Sequence, residues 1–214
     1  MHGCYNRPMG EKLLPVPWIM GILYSSIPLF WFAIHPVAQR WQQMRRSPYR
    51  VLLPLWMVII IALGVLTWPW HASRIYETPW AWLPAILFFA LGAGTYFRIR
   101  SEFGTTNFIG ESELRPNEHP QTLVTTGLHA RMRHPIYVAH LCVFAAWTLG
   151  SGLLANFVLL AAGALITFPL MIWMEERELE KRFGQSYREY RQIVPLVPGF
   201  GFHRTSANGK HAAS

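Results

Sequence analysis

Charge is what this sequence has least of. Only 14% of its 214 residues are Asp, Glu, Lys or Arg, where soluble globular chains carry roughly a quarter. The shortage is localised: no charged residue falls within 13–39, 51–73, 78–97 or 134–174. Cysteine is scarce as well. Cys4 lies near the N-terminus and Cys142 inside the longest uncharged window, so no disulfide is expected, and no CxxC or Cys/His cluster suggests zinc. The nine histidines are scattered, no internal repeat is visible, and no metal site is expected.

What replaces charge is apolar surface, 52% of residues by count. A helix rises about 1.5 Å per residue and a bilayer core is about 30 Å thick, so roughly 20 apolar residues cross it. The first three uncharged windows each fit one crossing. The fourth fits two, with the GSG at 150–152 as the turn. The expected architecture is an all-α integral membrane protein with about five transmembrane helices, near 13–35, 51–69, 80–97, 135–150 and 153–174, the last two forming a tight hairpin. A soluble all-α core would have to bury all these windows with almost no polar face. A cleaved signal peptide does not suit the first window, which is too long, is punctuated by Pro15, Pro17 and Pro28, and has no small-x-small cleavage site after it.

Basic residues set the orientation. With five crossings, the segments 40–50, 98–133 and the tail after 174 share one side, and they hold 16 of the 19 Lys and Arg residues. Only Arg7, Lys12 and Arg74 fall opposite. The N-terminus is therefore expected outside and the C-terminus in the cytoplasm. A net charge of +8 then reflects a cytoplasmic face against anionic lipid and requires no nucleic-acid partner. The chain divides into N-terminal helices at 1–97, a cytoplasmic loop with hairpin and juxtamembrane helix at 98–200, and a disordered polar tail at 201–214.

Polar chemistry is concentrated in two places. The connection 98–134 is too long for a simple turn, and such connections cap a bundle, carry function or are disordered. It ends in RMRHPIY, with Pro135 suited to the first turn of a helix. Arg133 and His134 then sit at a helix N-terminus, whose positive partial charge disfavours them. Two readings are open here: snorkelling to lipid phosphate, or docking of something anionic. The second place follows the last apolar run, where Glu175 and Glu176 stand at the membrane surface. Carboxylates there usually have a partner. Glu178 and Arg182 are spaced to pair along this helix, Glu175, Leu179 and Phe183 share another face, and Gly184 is the expected end. A tight hairpin makes the start of the fourth span a neighbour of the end of the fifth. Arg133 and His134 should therefore meet Glu175 and Glu176 on the cytoplasmic side, and this favours ligand binding.

These stretches, LVTTG…RMRHPIY followed by an apolar hairpin and EERELEKRFGQSYREYRQIVPLVPGF, resemble the isoprenylcysteine carboxyl methyltransferase and phospholipid methyltransferase superfamily over roughly residues 100–200. The resemblance implies an integral membrane enzyme that binds S-adenosylmethionine at the cytoplasmic face and methylates a lipophilic small molecule or lipid. It implies cofactor contacts at Gln121, Thr122, Leu123 and Val124, at His129, at His134, Pro135, Ile136 and Tyr137, and at Glu175. The absence of a strand–GxGxxG–helix unit excludes a Rossmann methyltransferase. Arg133 is the candidate for orienting a group at the reaction centre and Glu176 for accepting a proton.

Three positions depart from the prenylcysteine enzymes. Gln121 stands where they have His, with His119 close enough to substitute, and His129 stands where they have Tyr. Met171 stands where they have an Arg that holds the substrate carboxylate. Met171 cannot do that, so the expected acceptor is a thiol, amine, phenol or hydroxyl. The alternatives are an NADPH-dependent membrane reductase of related fold and a non-enzymatic membrane protein. The compact chain, with no C-terminal retention signal, points to a bacterial inner (plasma) membrane. Acceptor identity and oligomeric state are not legible in the sequence.

Overall fold

A computed structural model describes residues 15–103, 114 and 122–197. The expected tail, Cys4, His119 and Gln121 lie outside these residues. The described residues are helical, with helices α1 Pro15–Phe32, α2 Tyr49–Thr67, α3 Trp82–Phe103, α4 Pro135–Ser151, α5 Leu154–Ala162, α6 Phe168–Phe183 and α7 Gln185–Ile193. Short turns extend them into runs longer than the expected spans. Among the described residues, four runs are long and apolar enough to cross a bilayer: Pro15–Gln42, Tyr49–Trp70, Pro79–Glu102 and Leu154–Phe183.

The remaining expected span, α4, has 17 residues. At about 1.5 Å per residue it covers about 25 Å, less than a full hydrocarbon core. It lies inside the bundle, packed most extensively on α3 and also on α1, with Ala139, Val143, Phe144 and Ala146 buried. A helix covered by its neighbours does not have to match the lipid alone. The outer faces of α2 and α3 are the reverse of a soluble surface. Val65 is 70% exposed, and on the last run Leu165 is 77% exposed. Such faces are stable only against hydrocarbon.

Small residues set the closest helix approaches. A Cβ on Gly92 of α3 would lie 2.8 Å from the Ala139 carbonyl oxygen and 2.6 Å from a Val143 methyl on α4. At the other end of α4, Gly152 closes the helix at φ +65°. A Cβ there would meet the Tyr76 carbonyl oxygen at 2.4 Å. The loop between α2 and α3 straps this turn. Ile75 N–H donates to the Gly152 carbonyl and Leu154 N–H to the Ser73 carbonyl, both at 2.8 Å. The Tyr76 hydroxyl donates to the Leu149 carbonyl at 2.6 Å. The hairpin is thus fixed at its turn, and its open ends meet at the far side of the bundle.

Between α5 and α6 the chain makes a π-helical turn, Gly163–Thr167. Pro169 follows and has no N–H for the helical ladder, so the register must change locally. The wider turn re-aims α6, which starts with two residues of the central cavity, Phe168 and Met171.

The α3–α4 contact yields a direct expectation. Gly92→Val should destabilise the protein by about 1–3 kcal/mol or more through overpacking, read as a lower unfolding midpoint in detergent. Gly94→Val, whose Cβ would meet nothing within 4 Å, should have a far smaller effect.

Candidate functional site

The open ends of the hairpin border a cavity of about 470 Å³, within the usual range for small-molecule sites. Its polar end is built by the N-terminus of α4 and the charged half of α6. Pro135 occupies the first turn of α4 and His134 precedes it as N-cap residue, with no side-chain capping bond. The His134 ring is 4% exposed and lies between two carboxylates: Nδ1 is 3.3 Å from Glu175 Oε2 and Nε2 is 3.2 Å from Glu176 Oε1. Carboxylates only accept, and imidazole has two N–H donors only as the cation. Burial pushes the His134 pKa down, but Glu175 and Glu176 outweigh burial and raise it from 6.5 to about 9. Tyr137, one turn along α4, donates its hydroxyl to Glu175 Oε2 at 2.5 Å and stacks on the His134 ring, centroids 5.3 Å apart.

Arg133 and Glu176 bind each other. Arg133 Nε donates to Glu176 Oε1 at 2.7 Å. Its Nη1 donates to the carbonyls of Val194 at 2.6 Å and Arg191 at 3.2 Å, and its backbone N–H donates to the Pro195 carbonyl at 3.0 Å. Arg191 approaches the second Glu176 oxygen at 3.7 Å. Arg133 still borders the cavity; Glu176 is not part of its lining.

The segment before α4 is held from two sides. Glu102, at the end of α3, accepts the Leu128 N–H at 2.8 Å and Arg98 Nε at 3.0 Å. Gly127, at φ +61°, allows this approach, because a Cβ there would lie 2.1 Å from the Glu102 carboxylate. The turn Gly127–Ala130 that follows carries His129 to the cavity wall, where burial lowers its pKa. The Tyr190 hydroxyl donates to the His129 carbonyl at 2.7 Å. Thr122, Leu123, Val124, Pro135, Ile136, Tyr137, Met171 and Glu175 also line the cavity. Gln121 lies outside the described residues.

Helix α7 carries Tyr187 and Tyr190. Both are buried, packed with Leu123, Leu179 and Phe183, and both border the cavity. Burial pushes the Tyr187 phenol pKa up, so it stays a neutral donor. Its hydroxyl is buried with no hydrogen-bond partner among the described residues. The opposite wall was missed altogether. It comes from Tyr24, Ile27 and Trp31 of α1, His35 after it, Tyr96 and Ile99 of α3, and His140 of α4. His35 Nδ1 is 2.8 Å from Glu178 Oε2, and Glu178 also takes Arg182 one turn away on α6. One signal could have revealed His140: it continues the face of His134 and Tyr137 at spacings of three, and a histidine inside an uncharged span is a functional candidate.

A bundle of membrane-length helices with a cavity at the open end of a hairpin is the architecture of an integral membrane protein. The phospholipid methyltransferase family model matches residues 80–186, half of the chain, and the chain belongs to that family. It is 40% identical over 89 residues to Protein-S-isoprenylcysteine O-methyltransferase of Schizosaccharomyces pombe (strain 972), covering 36% of this chain and 34% of that protein. It is 37% identical over 92 residues to Protein-S-isoprenylcysteine O-methyltransferase B of Arabidopsis thaliana, covering 39% and 42%. The chain thus spans about a third to two fifths of the length of these curated relatives. No solved structure matches it.

The His134 pKa sets a pH dependence. A pKa raised from 6.5 to about 9 on folding contributes stability that is fully present below pH 6.5 and is lost as pH rises through about 9. The unfolding midpoint in detergent should fall across that window, and His134→Gln should flatten the fall. An equally steep fall in the variant would mean that other groups cause it.

Proposed function

We propose that this protein is an S-adenosylmethionine-dependent methyltransferase acting on a lipophilic small molecule or lipid at the cytoplasmic membrane face. The observation that carries the proposal is one cavity with two chemically different ends. One end presents Glu175 held by His134 and Tyr137, and the other is walled by α1, Phe168 and Met171. The residues at the polar end fit the methyl donor. Glu175 suits its ammonium or ribose hydroxyls, the first turn of α4 and the backbone at 122–124 suit its carboxylate, and aromatic faces suit its sulfonium. The unpartnered Tyr187 hydroxyl is a buried donor that a ligand would satisfy. When bound, S-adenosylmethionine supplies an electrophilic methyl group whose transfer consumes the sulfonium charge, so a dry site does not oppose it.

The chain's own contribution is placement. Arg133 and Glu176 act in this reading as positioning residues: they fix His134 and tie the end of α7 to the start of α4. Glu176 is fully engaged by Arg133, His134 and Arg191, so the role of proton acceptor passes elsewhere. Met171, buried and apolar at the cavity wall, offers nothing to a carboxylate and supports a different acceptor. The distribution of basic residues supports an outside N-terminus and a cytoplasmic site. A bacterial inner membrane stays the expected location, and the two relatives, both eukaryotic, lend it no support.

Purified protein in detergent should bind S-adenosylhomocysteine by calorimetry. Glu175→Ala or His134→Ala should weaken binding by about 10–100-fold, the worth of a charge-assisted hydrogen bond; unchanged affinity in both would reject the site. Tyr187→Phe gives a second test. Removing an unsatisfied buried hydroxyl should leave the unliganded protein as stable as before or more so, while lowering affinity for S-adenosylhomocysteine. A clear loss of unliganded stability would show that the hydroxyl already serves the fold.

A further inference from the structure

Transfer to a hydroxyl, a thiol or an N–H amine releases a proton, and the carboxylates at the polar end are already committed. Glu176 holds Arg133 and His134, and Glu175 holds His134 and Tyr137. The apolar end contains a different group. His140, 4% exposed, borders the cavity from the middle of α4. Its Nε2 is 2.7 Å from the Tyr24 carbonyl oxygen, and its Nδ1 is 3.2 Å from the Tyr96 hydroxyl. A carbonyl only accepts, so Nε2 carries the hydrogen. Nδ1 of the neutral ring is then bare and accepts from Tyr96. Aromatic rings enclose the pair: Tyr24 and Phe168 lie 4.7 and 5.2 Å from the imidazole centroid.

The cations on the cavity wall are likewise taken. Arg133 and His134 face Glu176, and Arg182 faces Glu178. An anionic acceptor would have to break one of these pairs, whereas a neutral one with a hydroxyl would not.

We infer that Tyr96 and His140 form the polar end of an acceptor subsite between α1, α3 and α4, and that it takes a neutral lipophile bearing a transferable proton, with a phenol or alcohol as the fitting class. The inference rests on the methyltransferase reading above and adds the missing proton acceptor. As a lone pair of the acceptor oxygen forms the new O–C bond, the O–H bonding pair stays on that oxygen. The released proton passes to the Tyr96 oxygen while the Tyr96 proton passes to His140 Nδ1. The S–C bonding pair remains on sulfur, and the positive charge lost there appears on the imidazolium, so the pocket's net charge is constant. His140 Nε2–H keeps its bond to the Tyr24 carbonyl throughout, and the imidazolium gives its proton to solvent when product leaves.

His140→Gln separates this role from packing, because an amide can donate to the Tyr24 carbonyl and accept from Tyr96 but cannot take up a proton. The remaining titratable groups around His140 are Tyr24 on α1, Tyr96 on α3, and Tyr137 and Cys142 on α4 itself, and all four are unchanged in that variant. The probes are 4-nonylphenol, its methyl ether 4-nonylanisole, and dodecanoate, added to full-length protein in detergent with S-adenosylhomocysteine or labelled S-adenosylmethionine. Wild type should bind 4-nonylphenol at least about tenfold more tightly than the ether or dodecanoate. His140→Gln should bind S-adenosylhomocysteine and 4-nonylphenol as wild type does, yet transfer methyl far more slowly at neutral pH. Its rate should climb as pH rises and the phenol ionises unaided, while the wild-type rate is much flatter. Tyr96→Phe should lose both the preference for the phenol and the rate. Equal or tighter binding of dodecanoate, or no binding of 4-nonylphenol by protein that binds S-adenosylhomocysteine, overturns the acceptor class. Wild-type turnover and pH profile in His140→Gln overturn the relay. Failure to bind S-adenosylhomocysteine at all would instead remove the methyltransferase reading beneath it.

Discussion

The arrangement depends on one buried ion cluster, His134 between Glu175 and Glu176. Burying a charged imidazole and two carboxylates costs several kcal/mol per ion unless the partners are close and their remaining hydrogen bonds are met. Both conditions hold here: Tyr137 serves Glu175, and Arg133 serves Glu176. The cluster joins the first turn of α4 to the middle of α6, two points 41 residues apart in sequence. Only a hairpin closed tightly at its far end can bring them together. The Gly152 turn and the strap through Ile75 and Tyr76 are therefore part of the site, although they lie at the opposite end of the bundle.

From that clasp the rest follows in layers. Arg133 reaches past Glu176 to the carbonyls that end α7, so the last helix is hung from the first residues of the site. Tyr187 and Tyr190 come with it and close the cavity over Leu123. Glu102 holds the turn that bears His129, and α1 is drawn in through His35 and Glu178. Every wall is thus tied to α4 or α6 by a polar contact at the inner end, while outward faces are left apolar for lipid. The short α4 fits this plan, since none of its residues is exposed.

The sequence disclosed whatever depended on local pattern. Uncharged windows marked the helices, Gly152 and Gly184 marked their ends, and the cationic start of α4 facing the acidic end of the last run was inferable from hairpin geometry alone. What spacing left open was contact. It could not show that Arg133 and Glu176 bind each other. The burial of Tyr187 and Tyr190 depends on where α7 swings after Gly184, which no periodicity encodes. The α1 wall carried no motif, since tertiary packing decides which residues of an apolar helix face a cavity; His140 carried only its shared face with His134 and Tyr137. The expected span at 135–150 matches α4 to within one residue; that α4 is packed inside the protein was not legible.

The clasp stands or falls on one proton. If the clasp exists as described, the His134 ring holds hydrogen on both nitrogens wherever the protein is folded and the pH is below about 9. Nitrogen-15 spectra of histidine-labelled protein in detergent, assigned by loss of the signal in His134→Gln, measure this directly. The account predicts an imidazolium signature that persists well above neutral pH. A ring that loses its proton near the ordinary histidine value of 6.5, or that is already neutral below it, would contradict the clasp and the site built on it.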